Sequence, residues 1–337
     1  MFTGSAGEFF RIWIVNTFLT ILTLGLYAPW AKVRERRFFY QHTVMDGQPF
    51  DYTAHPVALL RGYLIVGGGI LLYYLAEAYN PLYSLMVFGI FSLVLPFLIY
   101  KSLRFFARHS VYRNIPFHFR GTLGESYKTY LLYPMLIPFT FGLIIPYWAF
   151  QRKKYFFGNI GFGTTANIFQ GSAREFYKLY GLVVVLLVVI IFFSIPILMS
   201  FATMIPAPEA GIFNAGMIFF ILSIYFTTLV VSTFVQQYIY AWTTNYCLGH
   251  SELGNIRFQS TLKAKQLFWI RITNILAIIF SVGLLIPWAK VRRTRYIIDN
   301  LTVIAGQGLD EFTAGVRPDE SAYGDVATDF FDIDIGL

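Results

Sequence analysis

One short phrase returns three times along the chain with its internal spacing kept. It reads Gly25-Leu26-Tyr27-Ala28-Pro29-Trp30-Ala31-Lys32-Val33-Arg34 near the start and Gly283-Leu284-Leu285-Ile286-Pro287-Trp288-Ala289-Lys290-Val291-Arg292 near the end. A looser copy, Gly142-Leu143-Ile144-Ile145-Pro146-Tyr147-Trp148, lies between them and runs into Arg152-Lys153-Lys154. In each copy the Pro stands four residues after the Gly. An aromatic or apolar pair (Phe38-Phe39, Tyr155-Phe156, Tyr296-Ile297) begins nine residues after the Pro. A repeat of this kind constrains the fold before any local propensity does, because each copy must become the same small unit.

The residues around these copies place the chain in a lipid environment. Only 13% of its 337 residues are charged, about half of what a soluble domain carries. Four apolar runs reach the length needed to cross a bilayer: 57–79 and 82–104 on either side of Asn80-Pro81, then 177–201 and 211–240 around Pro206 to Glu209. The loops 77–82 and 201–213 contain no Lys or Arg. All 26 cations lie elsewhere, so the positive-inside rule puts those two loops outside and everything else in the cytoplasm. The three repeat segments are also long enough to span. If each did, Arg152, Lys153, Lys154 and Arg174 would lose the compartment they share with Arg104 and Arg108. Each segment ends in Gly-x-x-x-Pro, and the middle one adds Pro134 and Pro138, which weaken a continuous helix.

The expected fold is therefore a membrane α-helical one. It has four spans, three repeated re-entrant or in-plane hairpin modules and a small cytoplasmic β layer, with a seven-span bundle as the alternative. The expected divisions are repeat modules at 1–56, 114–176 and 247–315, transmembrane hairpins at 57–113 and 177–246, and a tail at 316–337.

Each module also opens on a pattern. Phe2-Thr3-Gly4-Ser5-Ala6-Gly7-Glu8, Phe119-Arg120-Gly121-Thr122-Leu123-Gly124-Glu125 and Phe169-Gln170-Gly171-Ser172-Ala173-Arg174-Glu175 share a Ser/Thr-x-x-Glu core. That core is a capping box, in which hydroxyl and carboxylate satisfy the first free amides of a helix. A fourth copy, Phe258-Gln259-Ser260-Thr261, has Ala264 where the Glu would stand. Short runs rich in Phe, Thr and Ile read as strands: 42–52, 114–119, 159–169, 254–258 and 300–312. Asp46-Gly47 is a hairpin turn.

The capped openings and the Pro-Trp-Ala-Lys-Val-Arg phrase together resemble the YjgN family of bacterial inner-membrane proteins, a domain of unknown function. The resemblance reaches to about Phe312. It implies a bacterial inner-membrane location, and supplies no reaction, ligand or catalytic residue.

The candidate site is the set of cations after the Pro-Trp turns: Lys32, Arg34, Arg36 and Arg37; Arg152, Lys153 and Lys154; Lys290, Arg292, Arg293 and Arg295. Guanidinium groups clasp phosphates with paired hydrogen bonds, and Trp anchors at the interface. Anionic lipid headgroups are thus the expected partners, with fixing of topology as the plainer role for the same cations. Nucleic acid is not expected, and homo-oligomerisation stays open. Asn16 and Asn274, nine residues before their Gly, read as interhelical glue, with Tyr133 in the middle copy.

No metal or cofactor is expected. Cys247 is the only cysteine, and the five histidines are scattered. No phosphate loop, His-Glu-x-x-His or Gly-x-Ser-x-Gly occurs, so an enzyme is not supported, although scattered His, Asp and Glu on the β layer leave that alternative open. No carboxylate lies near the centre of the four runs, which argues against proton coupling. Two functions remain: a carrier or flippase-like protein for an anionic amphipathic substrate such as phospholipid, or a non-transporting scaffold that binds lipid and partners. Residues 310–337 hold eight acids and one base, net −7, against +15 for the rest. The tail either docks on the basic face, with 329–335 as an added strand, or stays a solubilising segment.

Overall fold

The computed structural model describes residues 1–203 and 215–305. Two kinds of connection alternate along them. Strands β1 (Val44–Met45) and β2 (Gln48–Tyr52), β3 (Ser110–Tyr112) and β4 (Ile115–Phe119), β5 (Ile160–Phe162) and β6 (Thr165–Phe169), and β7 (Ser251–Leu253) and β8 (Ile256–Ser260) are joined by two-residue turns. Positive φ at both Asp46 and Gly47, and at both Arg113 and Asn114, matches the right-handed twist of the flanking strands. Gly163 and Gly254 supply the positive φ of the other two turns. Helical pairs make the second kind of connection. Helices α1 (Ala6–Leu22) and α2 (Ala28–Gln41) precede β1. Helices α3 (Pro56–Tyr79) and α4 (Pro81–His109) link β2 to β3. A broken segment containing α5 (Leu123–Tyr127) and α6 (Tyr133–Met135) pairs with α7 (Ile145–Phe157) between β4 and β5. Helices α8 (Ala173–Thr203) and α9 (Ala215–Gly249) link β6 to β7, and α10 (Ala264–Phe280) and α11 (Ile286–Asp299) link β8 to β9 (Leu301–Ala305).

The nine strands form one antiparallel sheet in sequence order. Among the pairings, Phe50 faces Tyr112, His118 faces Gly161, Ile168 faces Glu252 and Arg257 faces Ile304. Because neighbours alternate in direction, all four tight turns fall at one end of the sheet and the helical pairs leave from the other. Tyr112, Phe162, Leu253 and Ile256 form one buried cluster, joined by Met45, Phe50, Phe117 and Val303. Side chains from first and last strands meet in it, so the sheet curls around an aromatic filling. The outer edge of β1 is covered by the first residues: Val44 N donates to Met1 O at 2.9 Å and Thr3 N to His42 O at 2.9 Å. Turn meets turn where Arg113 pairs with Asp46 at 2.6 Å.

Gly-x-x-x-Pro builds the three short helical pairs. The amides of Gly25, Gly142 and Gly283 donate to the carbonyls of Thr20, Ile137 and Ile278 at 2.8, 3.0 and 2.8 Å, closing the first helix. These glycines sit at φ of 91°, 83° and 88°, where a side chain would be strained. Pro29, Pro146 and Pro287 then start the returning helix, where a missing N–H costs nothing. In the middle pair Pro134 and Pro138 break the outgoing helix into a π turn, α6 and a 3-10 turn.

The sheet and the helices correct the expected fold. The β layer is a single nine-stranded sheet that takes in every helical pair, not a small accessory. Among the described residues two helices, α3 and α4, are long and apolar enough to cross a membrane, in place of the four spans plus hairpin modules or the seven-span bundle. For the seven-span alternative the physical reason is length. At about 1.5 Å per residue the 17 residues of α1 and of α10 fall short of a bilayer core of about 30 Å. Residues 204–214, which fall in the expected loop 201–213 and at the start of the expected span 211–240, are not among the described residues, and the tail begins beyond 305. Both the expected outer loop at 201–213 and the acidic tail therefore lie outside the described residues, in part or in whole. Helices α3 and α4 are not core helices of a soluble protein, since only 17% and 22% of their most apolar stretches are buried. They pack closely at Gly69, where an added Cβ would meet the Phe91 ring.

Candidate functional site

Each short helical pair presents the same order of residues from its tip towards the sheet. At the tips Leu24, Phe141 and Val282 are 95%, 96% and 92% exposed, each immediately before the turn glycine. Trp30, Trp148 and Trp288 follow in the first turn or turns of α2, α7 and α11, and the cations come next. From Pro29 to Arg37 the helix rises about 12 Å, so each pair grades from apolar to aromatic to cationic within one helix.

The pairs are held shut by polar ties. Asn16 donates its side-chain amide to Ala31 O at 3.4 Å, and Asn274 to Ala289 O at 3.1 Å; both asparagines are buried. In the middle copy Trp148 stands where the others have Ala, and its indole N–H donates back to Thr129 O at 2.8 Å. Tyr133, in the place of the asparagines, meets Tyr147 edge to face.

Many of the cations point at protein groups. On α2, Arg36 donates to the Tyr52 hydroxyl at 2.8 Å and lies over the Tyr52 and Phe106 rings at 5.3 and 5.1 Å. Arg37 donates to Tyr52 O at 3.3 Å. Lys32 is half-buried on the same helix, and Arg34 is exposed. On α7, Arg152 stacks on Trp148 at 4.9 Å, Lys153 is half-buried and Lys154 is exposed. On α11, Arg292 donates to Thr273 Oγ1 at 2.7 Å and Asn274 Oδ1 at 3.1 Å, and lies 5.0 Å over Trp288. Arg293 lies over Tyr240 at 5.2 Å, and Arg295 donates to Gly4 O at 2.8 Å.

Two of the three arrays come together. Lys290 pairs with Glu35 at 2.7 Å, and Val291 packs with Phe2, Phe9 and Phe38, so α11 lies against the first copy. The third array sits apart, where Phe150 of α7 packs on Phe176 and Cys247. Glu35 was not singled out in the sequence, although it is the one acid between Tyr27 and Asp46; an isolated carboxylate inside a run of cations is a signal for an ion pair.

The caps are built unequally. Ser5 and Glu8 exchange both bonds at 3.2 Å, and Thr122 and Glu125 do so at 3.3 and 3.0 Å. The Glu8 carboxyl is held below its ordinary pKa by the Ser5 hydroxyl and amide. Ser172 instead accepts from Arg174 N at 3.3 Å while its own amide donates to the Tyr246 hydroxyl, and Glu175 pairs with Lys178 at 2.6 Å. The opening glycines have a steric reason. A Cβ on Gly121 or Gly171 would strike the ring of Phe119 or Phe169, which folds back over it.

The inner membrane protein YjgN of Salmonella typhimurium (strain LT2) is 33% identical over 141 residues, covering 41% of this chain and 35% of that protein. Its namesake from Escherichia coli K12 is 42% identical over 52 residues, 15% of this chain and 13% of that protein. The matched stretches thus span about a third of the first of these relatives and about an eighth of the second. No solved structure matches the chain. The family described as "Bacterial protein of unknown function (DUF898)" matches residues 1–330. With nearly its whole length matched, the chain belongs to that family.

Proposed function

We propose that this chain is a bacterial inner-membrane protein that binds anionic phospholipid headgroups through its Trp–cation arrays, acting as a membrane scaffold and not as a carrier. The observation that carries the reading is the threefold order of exposed apolar tip, Trp and cations on helical pairs that leave one end of the sheet. This order follows the polarity gradient of a bilayer surface, in which Trp favours the headgroup level and Lys/Arg the anionic face. In this reading the α3/α4 pair anchors the protein, with the sheet in the cytoplasm; the absence of Lys and Arg from the turn at Asn80 supports an outer position for its far end. The aromatic filling of the curled sheet and the close approach at Gly69 favour a packed scaffold over a transport path.

The test uses the full chain in nanodiscs of phosphatidylglycerol or of phosphatidylcholine, with bound lipid counted by native mass spectrometry. The variant Arg34→Gln/Arg37→Gln/Lys153→Gln/Lys154→Gln should lose most of the retained phosphatidylglycerol. Undiminished retention would overturn the headgroup reading. Reconstituted protein should leave the flip rate of a labelled lipid at that of empty vesicles, and acceleration would restore the carrier.

A further inference from the structure

The three copies differ at one informative position. When Gly25, Gly142 and Gly283 are superposed in sequence, Arg34, Gln151 and Arg292 share a place. Arg292 is tied down by Thr273, Asn274 and Trp288. In the first copy Val15 replaces Thr273, which removes one of the two acceptors. Asn16 keeps its bond to Ala31, but its Oδ1 is buried with no hydrogen-bond partner, in a residue only 6% exposed. Arg34 is exposed, and Trp30 stacks on Tyr27 (6.0 Å, 13°). The acceptor that holds Arg292 in one copy therefore lacks a donor in the other, where the matching guanidinium faces outward. A buried acceptor without a donor is costly, and structures retain one where something else is gained.

Resting on the headgroup reading above, we infer that the arrays divide the work: Arg34 is the arginine that takes the lipid phosphate, while Arg292 and Arg152 hold the fold. The ligand class is a phosphodiester at the membrane surface, gripped by the planar fork of Arg34 beside Trp30 and the apolar tip at Leu24. Asn16 Oδ1, unfilled while Arg34 faces outward, is the one acceptor that an inward-turned Arg34 would meet, so an inward turn competes with phosphate for the guanidinium. With Val15 in the place of Thr273, that single acceptor does not hold the guanidinium inward.

The experiment titrates a fluorescent phosphatidylglycerol into the detergent-solubilised full chain, with matched phosphatidylcholine as control and inorganic phosphate as competitor. Arg34→Gln should weaken phosphatidylglycerol binding about tenfold, the scale of a charge-assisted bond, and Arg292→Gln less than about twofold. Val15→Thr changes no charge and sits on a face 47% exposed, so it remains decisive if Arg292→Gln fails to fold. By restoring the second acceptor it should hold Arg34 inward and weaken binding about threefold, whereas Thr273→Val should free Arg292 and strengthen it. Equal losses in Arg34→Gln and Arg292→Gln, or an unchanged Val15→Thr, would overturn the division. Full displacement by millimolar inorganic phosphate would overturn lipid as the source of the phosphate. A parent protein that does not distinguish the two lipids would instead sink the headgroup reading itself.

Discussion

The His118 imidazole lies over the α-carbon of Gly161, its partner across the β4–β5 ladder. A Cβ at position 161 would come within 2.4 Å of both the imidazole Nε2 and the carbonyl oxygen of Thr165. The imidazole is itself buried, and the carbonyl belongs to the adjoining strand of the same hairpin, so it cannot yield without shifting the ladder. Gly161→Ala should therefore destabilise by about 3 kcal/mol, the upper end for overpacking, and His118→Ala in the same chain should restore only part of it. Thermal unfolding of the detergent-solubilised protein reads both. Full rescue by the His118 change would show that the ladder itself tolerates the methyl group.

Asn274 and Asn16 make the same tie with different consequences. Removing Asn274 strands Arg292, whose guanidinium bonds to its carbonyl oxygen, whereas Asn16 Oδ1 has no donor to lose. Asn274→Ala should cost about 2 kcal/mol and Asn16→Ala about 1 kcal/mol, by the usual values for buried hydrogen bonds with and without a charged partner. The order of the two melting temperatures is the critical result, and Asn16→Ala melting lower would contradict the accounting.

The short helical pairs were legible because their geometry is written in single residues. Gly25 and Pro29 fix a left-handed stop and a restart within five positions, and Ser5 with Glu8 marks a helix start. Asp46-Gly47 likewise shows as a turn between two strands. The single sheet was not legible. Strands β3 and β7 are three residues long and lie outside the runs read as strands: Ser110–Tyr112 falls in the expected transmembrane hairpin 57–113, and Ser251–Leu253 just ahead of the run 254–258. Their pairing is also remote: Tyr52 meets Ser110 across the whole α3/α4 pair. At the site, the cations were visible but their commitments were not. Arg36 reaches Tyr52 and Arg295 reaches Gly4, contacts that only the assembled sheet brings about.

Cys247 is fully buried against Phe150 and Phe176, and burial pushes its thiol up to about 12. The thiolate is the reactive form, so almost none is available near neutral pH. Native protein should resist maleimide at pH 7 for hours and react promptly after denaturation. A practical consequence is that cysteines placed elsewhere for topology mapping report without removal of Cys247. Stoichiometric labelling of the folded parent would show that this end of α9 opens.

The Ser5–Glu8 capping box makes stability depend on acid pH in a defined direction. The Glu8 carboxyl is lowered first by the Ser5 hydroxyl and then by the Ser5 amide, so the folded state binds its proton less readily than the unfolded chain does. A depressed carboxylate contributes fully above its unfolded pKa and loses that contribution as pH falls through its folded value. The parent should therefore lose an increment of stability across the acid range below the ordinary carboxylate pKa. Glu8→Gln keeps a side-chain oxygen able to accept from the Ser5 amide but has no proton to gain. Its stability should be lower than the parent's at neutral pH, with a smaller decline on acidification, so that the two curves converge at low pH. Parallel curves in melts from pH 7 to pH 3 would show that Glu8 is not the titrating group.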